Sequence, residues 1–387
     1  MKYRKFMGIG PEAVTRRGTP GKWMAALASA LLLCACAATE PESEKNIFSD
    51  TPVSFDAFGR WDDDASGAAD TRTTSNGAET TFDNGDAIGV MAYYLPEGAT
   101  MDATAPNFMY NQKVTYATSA AAGTTGSASE STSGASGTSA ASGSSASGTW
   151  AYSPLKYWPV SGKLNFYAYW PFAESGDSHI TLSPNTAEGL PTLSYTNKNA
   201  YIDLMAAAAE GLSWNGGASA PSVPLTFRHL LARVKFRFTM KTETEDKPVV
   251  HILKYDVPYS SGIFRSWDKL DDPSAFWSEL GQPATIERST LNVEGDEITE
   301  DGVTIEEFTA YLLPCSFPSK NGTDIENFTI SLDNVEHKTS PSSLATVQAG
   351  KTYTINFLIE PRKDGKHFIT SFSMWEEGDT SWNGELK

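Results

Sequence analysis

The stretch Leu164-Asn165-Phe166-Tyr167-Ala168-Tyr169-Trp170 decides the fold. Its only polar residue is Asn165, and aromatic residues dominate the rest. A short, aromatic-rich run bounded by Gly162 and Pro171 is strongly β-prone and reads as a strand. Working outward, the same grammar recurs. Tyr157-Trp158-Pro159 precedes the run, and Asn111–Tyr116 is a second short strand. Ala87–Tyr94 is an apolar strand launched by the turn signal Asp83-Asn84-Gly85-Asp86. Pro52–Phe58 alternates Val53, Phe55 and Ala57 with Ser54, Asp56 and Phe58, the period of a strand with one buried face.

Leu225–Met240 reads as a long strand broken near Leu230-Leu231, setting Val234, Phe236 and Phe238 against Arg233, Lys235 and Arg237. Ile202–Leu212 is Ala-rich, which predicts a helical turn or more. Later strands are expected at Val249–Val257, Phe308–Leu313, Phe328–Leu332, Thr352–Ile359 and Phe368–Met374, with Gly262–Ala284 as a connection. Two successive sets of about seven short strands predict an all-β chain of two tandem β-sandwich domains. The expected bounds are 51–243 and 244–387, divided where polar residues cluster near 241–248. Thr118–Gly148 is almost wholly Ala, Gly, Ser and Thr, with Glu130 its sole charge. Such a segment buries too little apolar area to offset its ordering entropy, so 118–148 is expected to be a disordered insert within the first domain.

The N-terminus has a different logic. Lys2, Arg4, Lys5, Arg16, Arg17 and Lys22 precede the apolar run Trp23–Leu33. That run is too short to span a bilayer, which takes roughly 20 residues, and reads as a secretory signal over 1–35. Arg16-Arg17 invites a twin-arginine reading, but Gly18, Thr19 and Pro20 follow where apolar residues are needed. Leu33-Cys34-Ala35-Cys36 resembles the lipobox of bacterial lipoproteins, which makes Cys36 the expected lipidation site. Residues 36–50 then form an acidic tether, and Glu40, Glu42 and Glu44 resemble a surface-export signal of Bacteroidetes lipoproteins.

Charge and chemistry exclude several functions. The formal net charge is −17, and residues 1–35 carry six basic and one acidic residue, so the mature chain stands near −22. Nucleic-acid recognition needs basic stripes, and this chain lacks that balance. Cys315 is the only cysteine in the body, so stability rests on the cores and not on an internal disulfide. His179, His229, His251, His337 and His367 have no metal-ligand spacing, and no Gly-x-Ser-x-Gly or His-Glu-x-x-His motif occurs. Asp62-Asp63-Asp64 lacks the order of a calcium loop. Cys315 reads as a buried structural cysteine, and Glu306-Glu307 as part of a polar connection. No enzyme, cofactor or metal is expected. The tryptophans, Trp150, Trp158, Trp170, Trp214, Trp267, Trp277, Trp375 and Trp382 among them, read chiefly as core residues, with glycan stacking on exposed rings as the alternative.

Four ordered stretches carry a resemblance. Phe82-Asp83-Asn84-Gly85-Asp86-Ala87-Ile88-Gly89-Val90 resembles the F-x-x-G-D-x-I-G-V opening of Bacteroidetes fimbrillin-like (Mfa-like) proteins. Tyr157-Trp158-Pro159 with Phe166-Tyr167-Ala168-Tyr169-Trp170-Pro171 resembles their YWP…FYAYYP. Asp203-Leu204-Met205 followed by Val223–Val234 resembles DLL…V-x-L-x-F-x-H-x-L-A-x-V, and Ala349–Ile355 resembles AGKxYxY.

The resemblance implies two transthyretin-like sandwiches and a structural or accessory fimbrial subunit, or adhesin, at the outer-membrane surface. It implies partners that are other fimbrial subunits, with the outer membrane reached through lipid and host or bacterial surface ligands as further partners. It also implies arginine-specific removal of the first strand, here Val53, Phe55 and Ala57, by cleavage at Arg60 or Arg72. A neighbouring subunit's strand then fills the groove by β-augmentation. Phe368, Thr370, Phe372 and Met374 form the candidate donor strand, which could equally be the chain's own last strand. A non-polymerising surface glycan-binding lipoprotein is the second reading.

Overall fold

The computed structural model describes residues 47–60, 74–76, 79–118, 148–198, 202–217, 219–240, 248–288, 297–299, 302–317, 327–339, 345–361 and 365–376. Strands of the first half are β1 (Phe48–Pro52), β2 (Phe55–Arg60), β3 (Thr74–Asn76), β4 (Glu79–Thr81), β5 (Ala87–Leu95), β6 (Met109–Thr118), β7 (Gly148–Ala151), β8 (Tyr157–Pro159) and β9 (Lys163–Trp170). They continue with β10 (Ile180–Leu182), β11 (Leu193–Thr196), β12 (Met205–Leu212), β13 (Val223–His229), β14 (Ala232–Met240), β15 (Val250–Val257), β16 (Ser261–Phe264), β17 (Trp277–Ser278) and β18 (Ala284–Arg288). The last are β19 (Glu297–Thr299), β20 (Gly302–Leu312), β21 (Cys315–Phe317), β22 (Phe328–Leu332), β23 (Val335–Thr339), β24 (Ala345–Val347), β25 (Thr352–Pro361) and β26 (His367–Glu376). Only short 3-10 turns interrupt this all-β pattern among the described residues.

Nine strands form one sheet in the order β3-β4-β2-β13-β12-β9-β5-β6-β7. Its central strands are apolar on both faces because each face has its own core. Phe166, Ala168 and Trp170 enter one cluster with Val90, Leu225 and Phe227. Tyr167 and Tyr169, pointing the other way, enter a second with Met91, Tyr93, Leu193 and Phe264. That second face is covered by the sheet β10-β11-β16-β17. A third core lies between the sheets β19-β20-β14-β25-β26 and β18-β15-β22-β23, centred on Phe236, Phe308, Phe328 and Phe357.

The break at Leu230-Leu231 is a change of sheet. Before it, β13 pairs with β12 and β2; after it, β14 pairs with β20 and β25. Leu230 and Leu231 are themselves buried in the cluster that also holds Tyr311, Leu313 and Ala349. The alternation across β14 is kept, but Arg233 and Lys235 are buried too, with Arg233 Nε donating to Thr352 Oγ1 at 2.9 Å.

Three expectations need correction. Ile202–Leu212 is not helical; it contains β12, seated between β9 and β13. Ala206 and Ala208 stand opposite Tyr169 and Tyr167, so small side chains are needed beside bulky rings, and tertiary fit overrides alanine's helix preference. The connection 262–284 carries most of β16 and all of β17, which extend the outer sheet of the first half. Glu306 and Glu307 lie within β20 and not in a connection. The acid run 62–64, Arg72 and residues 119–147 of the low-complexity insert fall outside the described residues.

Two glycines explain the Phe82–Val90 stretch. Gly85 takes φ +99° in the turn that launches β5. Gly89 has no room for a side chain, since a Cβ there would lie 2.2 Å from Tyr169 Cε1. Phe82, Ile88 and Val90 fill the core on the other side.

Candidate strand-exchange site

The first described segment is part of the fold and not an appendage. Pro52 has no N–H to continue the ladder and ends β1. Val53 then bonds through its N–H to Lys156 O at 2.8 Å, and its carbonyl accepts from Tyr152 Oη at 2.9 Å. β2 lies parallel to β13, with Phe55 opposite Val223 and Arg60 opposite Arg228. On its other side β4 pairs antiparallel at Gly59 and Arg60. Val53 and Phe55 are 2% and 5% exposed, whereas Ser54 and Asp56 face solvent. Ala57 is half-buried on the core side. Phe55 meets Tyr152 and Phe166 edge-on at centroid distances of 5.6 and 5.7 Å.

This placement has a physical consequence. Parallel neighbours cannot be joined by a tight turn, so β2 is held by its ladder and side chains and not by a hairpin. Full burial of Val53 and Phe55 contributes about 1.5–3 kcal/mol each. Withdrawing β2 would expose the β13 edge and open a slot lined by Val223, Leu225 and Phe227, all fully buried at present. Unpaired backbone on a buried edge is costly, so such a slot favours any strand able to replace β2.

Arg60 closes β2, and its backbone is paired on both sides. A protease would reach that bond after local opening of the strand end, the kind of motion that fraying termini allow. β26 holds an edge of its sheet, antiparallel to β25 from Pro361↔His367 to Tyr353↔Glu376. Phe368 stands opposite Glu360, Phe372 opposite Phe357 and Met374 opposite Ile355. Met374 is buried, Phe368 half-buried and Thr370 exposed, with a register shift at Leu358/Ile359. Lys351 Nζ reaches Glu376 Oε1 at 2.5 Å and ties the end of β26 to the body. Lys351 is the lysine of the AGKxYxY-like stretch, whereas Tyr152 sits in no pattern that distinguishes it from other aromatic residues.

The remaining chemistry-bearing residues stay apart. Glu306 and Glu307 are neighbours on a strand and so project to opposite faces. Glu306 is buried, while Glu307 accepts from Arg237 Nε at 2.6 Å. Burial pushes the Glu306 carboxyl up to about 7, with Arg288 opposing. Burial likewise pushes the Cys315 thiol up to about 12, which leaves it protonated and unreactive. His229 Nδ1 lies 2.8 Å from Asp203 Oδ1, both side chains being buried. His367 Nδ1 lies 2.6 Å from Asp333 Oδ2. Among the described residues no three His, Cys, Asp or Glu side chains gather into a metal-sized cluster.

The tryptophans are spent on packing where they are described. Trp158, Trp170 and Trp267 are buried, and Trp150, Trp214 and Trp277 are partly buried against the cores. A cavity of about 700 Å³ beside Glu97, Lys163, Asn165 and Glu210 has no aromatic ring in its lining.

The chain is 24% identical over 328 residues to fimbrium subunit Fim1C of Phocaeicola vulgatus, covering 74% of this chain and 78% of that one. Among solved structures it is similar to a fimbrial protein from Bacteroides vulgatus at 18% identity and TM-score 0.39, over 75% and 92% of the two chains. It is also similar to the fimbrial anchor protein Mfa2 from Porphyromonas gingivalis at 11% identity and TM-score 0.32, over 84% and 98%. The family model described as fimbrillin-like matches residues 71–372, most of the chain, and the chain therefore belongs to the fimbrillin-like family.

Proposed function

We propose that this protein is a fimbrial subunit that assembles by strand exchange at the cell surface. In this reading Cys36 is diacylated after signal removal, and the lipid carries the chain to the outer membrane. An arginine-specific cut at Arg60 or Arg72 then releases β1 and β2, including Val53, Phe55 and Ala57. A strand from a neighbouring subunit enters the slot beside β13. β26, with Phe368, Thr370, Phe372 and Met374, is the donor segment once it leaves β25. The two-sandwich division and the role of 118–148 as a surface loop belong to the same proposal.

The observation that carries it is the parallel β2–β13 pairing, which seats Phe55 in the core, with Val53 buried just before it, without any short covalent link to the neighbouring strand. Membership of the fimbrillin-like family supports the same reading. Treatment of the purified chain with an arginine-specific protease tests it. The expected product is a ladder of denaturant-resistant oligomers on electrophoresis. A cleaved chain that stays monomeric at high concentration contradicts polymerisation.

A further inference from the structure

Four large apolar side chains stand exposed on one small ribbon. Among the described residues, nine large hydrophobic side chains are exposed, and Ile47, Leu155, Tyr157 and Val160 are four of them, at 47, 51, 39 and 59%. All four belong to the β1–β8 ribbon or its flanks. Ile47 and Val160 are a cross-strand pair, joined by the Val160 N–H to Ile47 O bond at 2.9 Å. Phe48 and Trp158 pack into the core and Pro159 is buried, while Ile47, Tyr157 and Val160 are left exposed. Single exposed apolar residues are ordinary, but a concentration on one ribbon marks a contact surface.

The charge and the chain order point to the occupant. The ribbon and its flanks, residues 47–52 and 155–160, carry one acid, Asp50, and one base, Lys156, and so are neutral in a chain whose formal net charge is −17. Tyrosine, lysine and aliphatic residues together suit the boundary between phosphate headgroups and acyl chains. Ile47 follows Cys36 by eleven residues. That length reaches at most about 40 Å when fully extended.

We infer that, in the acylated and uncleaved protein, the face formed by Ile47, Leu155, Tyr157 and Val160 rests on the lipid surface. This inference depends on the proposed acylation of Cys36. A diacyl anchor supplies the affinity, and the patch supplies orientation, holding one defined side of the body against the bilayer. Cleavage at Arg60 would remove Ile47 together with the lipid and so dismantle the contact.

The test uses the mature acylated chain on zwitterionic phosphatidylcholine vesicles. An environment-sensitive fluorophore is attached at Leu155→Cys, or at Val335→Cys on the edge strand β23 as a comparison site. Cys315 is buried and protonated and does not compete for the label. The expected result is flotation of both proteins, with a blue shift and a severalfold rise in emission at position 155 alone. The pair Ile47→Asp and Val160→Asp should keep flotation and lose the shift. Flotation without a shift at 155 overturns the inference while leaving acylation intact. A chain that does not float overturns acylation, and the inference falls with it. A shift at 155 that appears on raising protein concentration without vesicles assigns the face to a second copy of the chain and also overturns it.

Discussion

Phe55 faces Val223 across a parallel ladder, and both side chains close the same core. The ladder joins the first described strands to a segment far along the chain. Phe55→Ala should destabilise the uncleaved protein by about 3–5 kcal/mol through lost burial and the cavity left behind. Thermal unfolding checks this. After a cut at Arg60, a peptide spanning 47–60 should raise the unfolding temperature of the remaining body, and the same peptide with Phe55→Ala should do so poorly.

The buried pair of His229 and Asp203 sits where β13 ends and the chain changes sheets. Leu230 N–H also bonds Leu204 O at 2.8 Å, so side-chain and backbone contacts lock the same corner. Asp203 is fully buried, and removing its partner strands it there. His229→Leu should cost about 3–5 kcal/mol, the cost of breaking a buried pair from one side. Denaturant midpoints of the variant and the parent measure it; a change below about 1 kcal/mol, the scale of an exposed ion pair, would contradict this account of the corner.

Glu306 gives the fold a pH dependence of unusual sign. Its carboxyl titrates near 4.5 when unfolded and is pushed up to about 7 in the folded chain by burial, against the pull of Arg288. The folded state therefore holds more protons between those values. Its contribution to stability is complete below about pH 4.5 and is lost as the pH rises towards 7, with a total of about 3 kcal/mol. Glu306→Gln should flatten this part of the stability profile and raise stability at pH 8. An unchanged slope between pH 5 and 7 in the variant would assign the dependence to other groups.

Gly89 has no room for a methyl group because the Tyr169 ring occupies the space where Cβ would go. Tyr169 cannot retreat freely, since its hydroxyl donates to Asn111 Oδ1 at 2.7 Å and accepts from Ala173 N–H at 3.1 Å. Gly89→Ala should destabilise by about 1–3 kcal/mol, as overpacking does. The double variant with Tyr169→Ala should show non-additive losses, which a double-mutant cycle in denaturant would reveal.

Much of this was legible from residue order. The period-2 alternation in Val53, Phe55 and Ala57 marks the inward side chains, although the expected strand 52–58 is split between β1, which ends at Pro52, and β2, which starts at Phe55; the aromatic run 164–170 marks a strand. What stayed hidden was long-range partnership. Nothing local in Val223–His229 says that its parallel neighbour is Phe55–Arg60, and nothing in 261–278 says that it returns to pair with Leu193–Thr196. The Ala-rich strand 205–212 was misread because alanine's intrinsic preference is helical. Its strand state follows from the tyrosines opposite it, which only the folded register displays.

The central claim is that β1 and β2 are temporary occupants of the slot beside β13. Its most direct test is the N-terminus of the assembled, surface-exposed protein, read by mass spectrometry of fimbriae sheared from cells. The account predicts a chain beginning at Trp61 or Thr73, after Arg60 or Arg72. An assembled form that still begins with acylated Cys36 would contradict strand removal.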